Sequence, residues 1–329
     1  MSIRWRLTPA IALTCFLSAA IGYGAELANA ADPKVPPEQD PGGPALALID
    51  SGIDYTSGRI AHRLARDGEG EIIGWDFVDN DRTPYAAPLR APQGGGIAGG
   101  VDAHNAGKSA ASGASGWDAG VKTSNGTTIA ELLLSAYSKG RLIPVRLLPG
   151  DAQTLANAIG FAINTPARII AIAQPLNSEP LKEVVRQASM RFKDHLFVVA
   201  GDIAAPAADT SAPANAPKPS LKSLANVVVV LPIGEVDGKP AAEVGAASDL
   251  VVLPRAGSMF GDIIGGAPDT GAEAVALAAA AAACQGHGRE EPMIGAAAKA
   301  ALLDASKPLG QATNVRGLDP MCWYGGKLQ

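Results

Sequence analysis

The chain has 329 residues, a formal net charge of −5 and only 5% aromatic residues. The acidic balance, without clusters of Lys or Arg, argues against nucleic acid or an anionic membrane surface as a partner. The length exceeds that of most domains but suits one large α/β domain, whose core must depend on Ala, Val, Leu and Ile.

Residues 1–30 have the pattern of a cleavable secretory signal peptide. Arg4 and Arg6 give a basic start, residues 11–21 are apolar, and residues 28–30 read Ala-Asn-Ala, a small-x-small cleavage motif. The apolar run is too short to span a bilayer, and no later segment reaches about 20 uninterrupted apolar residues. We therefore expect an exported protein, periplasmic or secreted, with no membrane span after cleavage.

The mature chain is predicted to start with a Pro-rich, acidic N-terminal arm at residues 31–44, followed by one domain over residues 45–329. The domain begins with the apolar run Ala45–Ile49, then Asp50, then a Gly-containing turn. This pattern predicts a buried strand that holds a carboxylate rigidly at its C-terminal end.

The segment EIIGWDFVDNDRTP at residues 71–84 predicts a strand over residues 71–78 and then an acidic loop. Asp76, Asp79 and Asp81 have a spacing that suits an oxygen-ligand Ca²⁺ site. A solvated acidic turn is the alternative interpretation of the same residues. No His/Cys spacing suits zinc, and no other cofactor is predicted.

A Gly/Ala/Ser-rich insertion occupies about residues 86–124, and the run Asn125-Gly126-Thr127-Thr128-Ile129-Ala130 then opens a helix. Beyond it, continuous apolar strands alternate with amphipathic helices, which predicts a mainly parallel sheet covered on both faces. The predicted strands are 141–147, 168–173, 195–200, 226–231 and 250–253, and the predicted helices are 151–164, 180–192, 270–284 and 292–306.

In their order and flanking residues, these motifs resemble those of the subtilisin-like serine proteases. Asp50 matches the aspartate of the family's catalytic triad. The run from Asn125 matches its His-Gly-Thr-x-x-Ala motif, and the helix from Thr270 matches the helix that begins with the nucleophilic serine. The resemblance covers about residues 45–319 and implies a three-layer α/β/α sandwich with its site at the carboxyl edge of the sheet.

Three site positions depart from the family's pattern. Asn125 stands at the histidine position, and an amide cannot act as a general base at neutral pH. Pro268 or Asp269, depending on a one-residue shift, stands at the serine position, and neither is a serine-type nucleophile. Asp202 stands at the oxyanion asparagine position, where an ionised carboxylate repels the developing charge, although a protonated one can still donate a hydrogen bond.

These departures favour an exported pseudoprotease that binds a peptide or another exported protein. One alternative is a working subtilase endopeptidase with non-standard site residues, Ser258 acting with His104 and Asp50. Another is a structural subunit of a larger exported complex.

Cys284 and Cys322 are the two cysteines that remain after signal cleavage. An even pair in an exported protein predicts a disulfide, which would tie the end of the long helix to the C-terminal tail. Two reduced, separately buried thiols are the alternative.

Overall fold

The computed structural model describes residues 32–86, 126–202, 218–235, 239–252, 270–289, 293–309 and 312–318. Nine strands within them share one sheet. In chain order they are β1 (Ala45–Asp50), β2 (Trp75–Asp76), β3 (Arg141–Arg146), β4 (Ile169–Ile172), β5 (Leu196–Ala200), β6 (Val227–Pro232), β7 (Leu250–Val252), β8 (Lys307–Leu309) and β9 (Ala312–Leu318).

The order of the strands across the sheet is β2-β3-β1-β4-β5-β6-β7-β9-β8. All neighbours run parallel except β8 and β9, which form an antiparallel pair at one edge. Because the parallel strands point the same way, their C-terminal ends share one edge, the carboxyl edge, and their N-terminal ends share the opposite, amino edge. The mainly parallel sheet confirms the predicted α/β class.

Helices cover both faces of the sheet, as the apolar strands require. They are α1 (Gly126–Ala136), α2 (Ala152–Ile163), α3 (Glu179–Arg191), α4 (Ala241–Ala247), α5 (Gly271–Gly286) and α6 (Gly295–Ala305). Helices α1 and α6 pack against α5 on one side, and α2 packs against α3 on the other. None of the helices in the described part of the chain has both the length and the hydrophobicity that a membrane crossing requires.

Strand β1 contributes side chains to the hydrophobic cores on both faces of the sheet. Leu46 and Leu48 pack into the core beneath α1 and α5, whereas Ala47 and Ile49 pack into the core beneath α2 and α3. Side chains alternate between the two faces of a strand, so Asp50, two residues after Leu48, belongs to the α1 face. The alternation alone therefore directs the carboxyl group of Asp50 to the face of the sheet that α1 covers.

The strand predicted over residues 71–78 is much shorter in the structure. Only Trp75–Asp76 pairs with β3, at the C-terminal end of that strand. Ile72 instead forms an antiparallel bridge with Arg66, and the Ile73 N–H donates to the carbonyl of Ala65. The apolar residues at the start of this segment therefore serve a local hairpin.

The N-terminal arm lies along the domain and is held by polar contacts. The Tyr55 hydroxyl donates to the Pro33 carbonyl at 2.6 Å, and Arg66 donates to the Pro36 carbonyl at 2.8 Å. Asp40 forms an ion pair with Arg141 at 2.5 Å. These contacts fix the approach of the chain to β1.

A buried ammonium group joins α6 to the sheet. Lys299 Nζ donates to the Val227 carbonyl at 2.6 Å and to the carbonyls of Lys222 and Leu224. It also lies 3.1 Å from the carboxylate of Asp249, and both side chains are buried. Burial raises the pKa of Asp249, and the charge of Lys299 opposes that rise.

We expect Lys299→Met to lower the free energy of unfolding by about 3–5 kcal/mol, because it leaves the Asp249 carboxylate buried without its cation. Urea unfolding followed by circular dichroism measures the change. Lys307→Met is the control, since Lys307 is exposed on the edge strand β8. A loss no larger than that of the control would contradict a structural role for the pair.

Candidate functional site

Asp50 ends β1 with its carboxyl group buried; the residue is 2% exposed. Its Oδ1 accepts a hydrogen bond from the Ser51 N–H at 2.7 Å. Its Oδ2 has no hydrogen-bond partner among the residues that the structure describes. Burial raises the pKa of this carboxyl to about 7, against the smaller opposing effect of the bonds from Ser51.

The N-terminus of α1 lies directly against the turn that follows Asp50. A Cβ atom on Gly126 would come within 2.2 Å of the Gly52 carbonyl oxygen and 3.4 Å of the Asp50 Cγ. One residue further on, Thr127 Oγ1 accepts a hydrogen bond from the Asp54 N–H at 2.8 Å. The helix and the Asp50 turn are therefore clamped together, and only glycine fits at position 126.

Helix α5 begins at the carboxyl end of β5. A Cβ atom on Gly271 would lie 2.8 Å from the Ala200 Cβ, which shows how closely the two elements meet. Thr270 caps the helix, since its Oγ1 accepts from the Glu273 N–H at 3.2 Å and Glu273 accepts from the Thr270 N–H at 3.1 Å. This capping box satisfies two free donors of the first turn and makes Thr270 the N-cap of the helix.

Asp202 follows β5 and lies at the same carboxyl edge. Its side chain is 38% exposed and its Oδ2 is 3.9 Å from Lys182 Nζ. An ion pair this long and this exposed contributes little to stability. The strand order β1-β4-β5 separates the ends of β1 and β5 by two strand spacings, about 10 Å.

The structure thus brings together Asp50, the start of α1, the end of β5 with Asp202, and the start of α5. Asn125, Pro268 and Asp269 lie outside the described residues, as do His104 and Ser258. The convergence of the complete set of site positions stays a prediction.

The three described histidines lie at the amino edge. His195 immediately precedes β5, and His287 follows the C-terminus of α5. His62 adjoins Arg63, whose Nε donates to the carbonyl of Gly140, the residue before β3. The six residues of β1 span about 17 Å between the two edges, so none of these imidazoles reaches Asp50.

The acidic loop is organised by an arginine that the sequence analysis missed. Arg146, at the end of β3, donates to Asp76 Oδ2 at 2.6 Å and to Asp79 Oδ2 at 2.7 Å. The other oxygen of Asp76 accepts from the Val78 N–H at 2.6 Å. In the sequence, Arg146 is recognisable only as a basic residue at the end of an apolar strand. That pattern does not identify the carboxylates that it binds.

These bonds bear on the calcium hypothesis for Asp76, Asp79 and Asp81. Arg146 already supplies positive charge to two of the carboxylates, and the Asp81 carboxylate accepts from Thr83 at 2.7 Å. Within the described ranges, no group of three His, Cys, Asp or Glu residues has the arrangement of a metal site. This part of the chain favours an ion-paired acidic turn.

No protein-family model matches the sequence, and no curated protein matches it. The solved structures that are similar in fold include two proteases and a macrocyclase. A lanthipeptide protease has 13% identity and a TM-score of 0.47, with 83% of each chain covered. A cold adapted subtilisin-like serine proteinase has 11% identity and a TM-score of 0.43, with 88% of this chain and 93% of that chain covered.

The third, the PatG macrocyclase in complex with peptide, has 14% identity and a TM-score of 0.35, with 75% of this chain and 78% of that chain covered. The likeness is one of fold alone.

The buried carboxyl of Asp50 predicts a pH-dependent stability. Because its pKa is raised from 3.8 to about 7 in the folded state, the folded protein binds this proton more tightly than the unfolded chain does. The contribution of Asp50 to stability is therefore present at pH 4 and is lost as the pH rises through 7.

We expect Asp50→Asn to remove this loss, so that the stability of the variant relative to the wild type rises by roughly 4 kcal/mol between pH 4 and pH 8. Urea unfolding across that pH range measures the difference, with the exposed Asp304→Asn as the control. A difference that stays constant with pH would show that Asp50 titrates normally.

The predicted disulfide has one described partner, because Cys322 lies outside the described residues. Cys284 is half-buried near the C-terminus of α5. We expect the protein to contain the Cys284–Cys322 bond when it is produced in an oxidising compartment, which would stabilise it by roughly 3–4 kcal/mol through a closed loop of several tens of residues. Intact-mass analysis with alkylation, before and after reduction, tests this, with Cys284→Ser as the control. Alkylation of both thiols without reductant would rule the bond out.

Proposed function

We propose that the chain is an exported subtilisin-like pseudoprotease, which binds a peptide or another exported protein at the carboxyl edge of its sheet without hydrolysing it. The observation that carries this proposal is the clamp between Gly126 and the Asp50 turn. The residue that precedes Gly126 in the sequence is Asn125.

The chemistry of a serine triad explains why an asparagine at position 125 argues against hydrolysis. The carboxylate orients an imidazole and stabilises its cation while the imidazole takes the proton of the nucleophile. An asparagine amide can accept a hydrogen bond but cannot take that proton. The described histidines lie at the amino edge and offer no replacement.

The start of α5 supports the same conclusion for the nucleophile. The only hydroxyl in the sequence from Gly265 to Thr270 is that of Thr270. It accepts the Glu273 N–H as part of a capping box, and the residues before it are Pro268 and Asp269. A hydroxyl needs an adjacent base to become a nucleophile, and the described carboxylate next to Thr270, that of Glu273, accepts the Thr270 N–H in the capping box.

A binding role is consistent with where the edge lies in the fold. In α/β folds with open parallel sheets, ligands bind beyond the carboxyl ends of the strands. Leu148 lies there, two residues after β3, and is 61% exposed. The signal-peptide pattern of residues 1–30 supports export to a compartment where peptides and other exported proteins are the available partners.

The first test is whether the protein lacks peptidase activity. We expect the purified mature protein to leave casein and chromogenic peptides uncleaved above background, and to resist a fluorophosphonate probe, because base and nucleophile are both missing. The matched controls are Ser258→Ala and His104→Ala, which should behave as the wild type does. Stoichiometric probe labelling that Ser258→Ala abolishes would establish the alternative, an active peptidase with relocated residues.

The second test is binding. Peptides selected from a displayed library on the immobilised protein should lose at least about tenfold in affinity with Leu148→Glu, since it places a charge on an exposed apolar contact at the carboxyl edge. Met190→Glu is the matched control, because Met190 is 51% exposed but lies near the C-terminus of α3, at the amino edge. Equal losses in both variants, or no selectable peptide, would argue against a groove at the carboxyl edge.

A further inference from the structure

A pocket of about 440 Å³ opens at the amino edge of the sheet, at the other end of β1 from Asp50. Small-molecule sites in proteins are typically about 300–1,000 Å³. Four basic residues are among those that line it, together with the turn at Gly42–Gly43: His62, Arg63, Lys139 and His287.

Two glycines form the floor of this amino-edge pocket. Gly42 and Gly43 have φ angles of +70° and +82°, in the left-handed region that favours glycine. A Cβ on Gly43 would lie 2.3 Å from the Lys139 carbonyl oxygen, so this turn and the α1–β3 turn are in backbone contact. The shape of the pocket therefore depends on the absence of a side chain at position 43.

Arg63 is a fixed, partly buried cation at this pocket. Its guanidinium donates to the Gly140 carbonyl, at 3.0 Å from Nε, and to the Tyr137 carbonyl at 3.3 Å. These bonds use Nε and Nη2, and among the described residues Nη1 has no hydrogen-bond partner. Burial lowers the pKa of Arg63, and Arg63 forms no ion pair with a carboxylate among the described residues.

The imidazoles leave further polar atoms for a ligand. His62 Nδ1 lies 2.8 Å from the Gly58 carbonyl and therefore donates to it, so Nε2 can accept a hydrogen bond from a hydroxyl. His287 Nδ1 lies 3.2 Å from the Tyr137 hydroxyl, which leaves the Nε2 atom of His287 for another partner.

The described residues that line the pocket include no Asp or Glu. The nearest carboxylate in the sequence, Asp40, uses one oxygen on the Gly42 N–H and the other on Arg66 and Arg141. A cation would meet repulsion from Arg63 and Lys139, so the lining selects against a metal ion and for an anion.

We propose that the amino-edge pocket binds a small organic anion, a phosphate monoester or a carboxylate, whose charged group is held by the guanidinium of Arg63 and the ammonium of Lys139. The two N–H groups of Arg63 Nη1 can donate to the oxygens of such an anion, and the Lys139 ammonium adds a second charged donor. The site is independent of the proposed peptide-binding edge, because it lies at the opposite end of the strands.

Isothermal titration of the purified mature protein tests the proposal, with inorganic phosphate and citrate as separate titrants at low ionic strength. We expect saturable binding with a Kd in the millimolar range or tighter, which weakens as salt screens the charges. Saturation by phosphate alone assigns a phosphorylated ligand, and saturation by citrate alone assigns a carboxylate. If neither titrant saturates by about 20 mM, a value far weaker than a fixed arginine contact provides, the proposal is wrong.

Two variants show whether the pocket itself is responsible. Lys139→Gln, at an exposed side chain, should weaken binding about three- to fivefold, and Arg63→Lys, which keeps the charge but removes the two Nη1 donors, about tenfold. Lys307→Gln, on the far edge strand, should bind as the wild type does. Thermal unfolding checks the fold of Arg63→Lys; if that variant unfolds, Lys139→Gln alone decides. Equal affinities for Lys139→Gln and the wild type would overturn the assignment.

Discussion

The contact between α1 and the turn after β1 is the constraint on which the candidate site depends. Gly126 has no room for a Cβ atom, because the Gly52 carbonyl would lie 2.2 Å from it. Any larger residue would push the helix away from the carboxyl edge and expose Asp50 to solvent. Together with the Thr127–Asp54 hydrogen bond, this contact fixes the start of α1 against a buried acid.

The buried acid in turn explains much of the site's electrostatics. Asp50 receives a bond from the Ser51 N–H, and none of the described residues gives it a charged partner. Arg146 pairs with Asp50 in the β1–β3 register, but its guanidinium binds Asp76 and Asp79 in the acidic loop. Desolvation therefore dominates and raises the pKa of Asp50 to about 7.

Much of this architecture could be predicted from the sequence because local patterns decide it. The apolar run before Asp50 gave β1 its bounds, and Asp151 was placed at the start of α2, where its side chain accepts from the Thr154 N–H. The α/β class followed from the same alternation of apolar strands and helices. The start of α5 was predicted from the small-residue run after Thr270.

The rest depends on partners distant in the sequence. Ile72 and Ile73 are as apolar as the residues of a sheet strand, yet they pair with residues 65–66 in a local hairpin. The edge pair β8–β9 was missed because exposed Lys307 and Pro308 carry no strand signal. The Lys299 contacts, the Arg146 bridge and the basic pocket each join residues tens of positions apart, and composition cannot reveal them.

Asp50 at the carboxyl edge is therefore not in itself a sign of catalysis. In a working triad the aspartate must be ionised, because its charge stabilises the imidazolium that forms as the nucleophile loses its proton. Without a neighbouring cation, a fully buried carboxyl holds its proton up to about neutral pH. The described surroundings of Asp50 are those of a carboxyl that supports the turn at the end of β1, and that structural role is compatible with Asn125 next to Gly126 in the sequence. The proposed function then requires only that the same edge present a fixed surface to a partner.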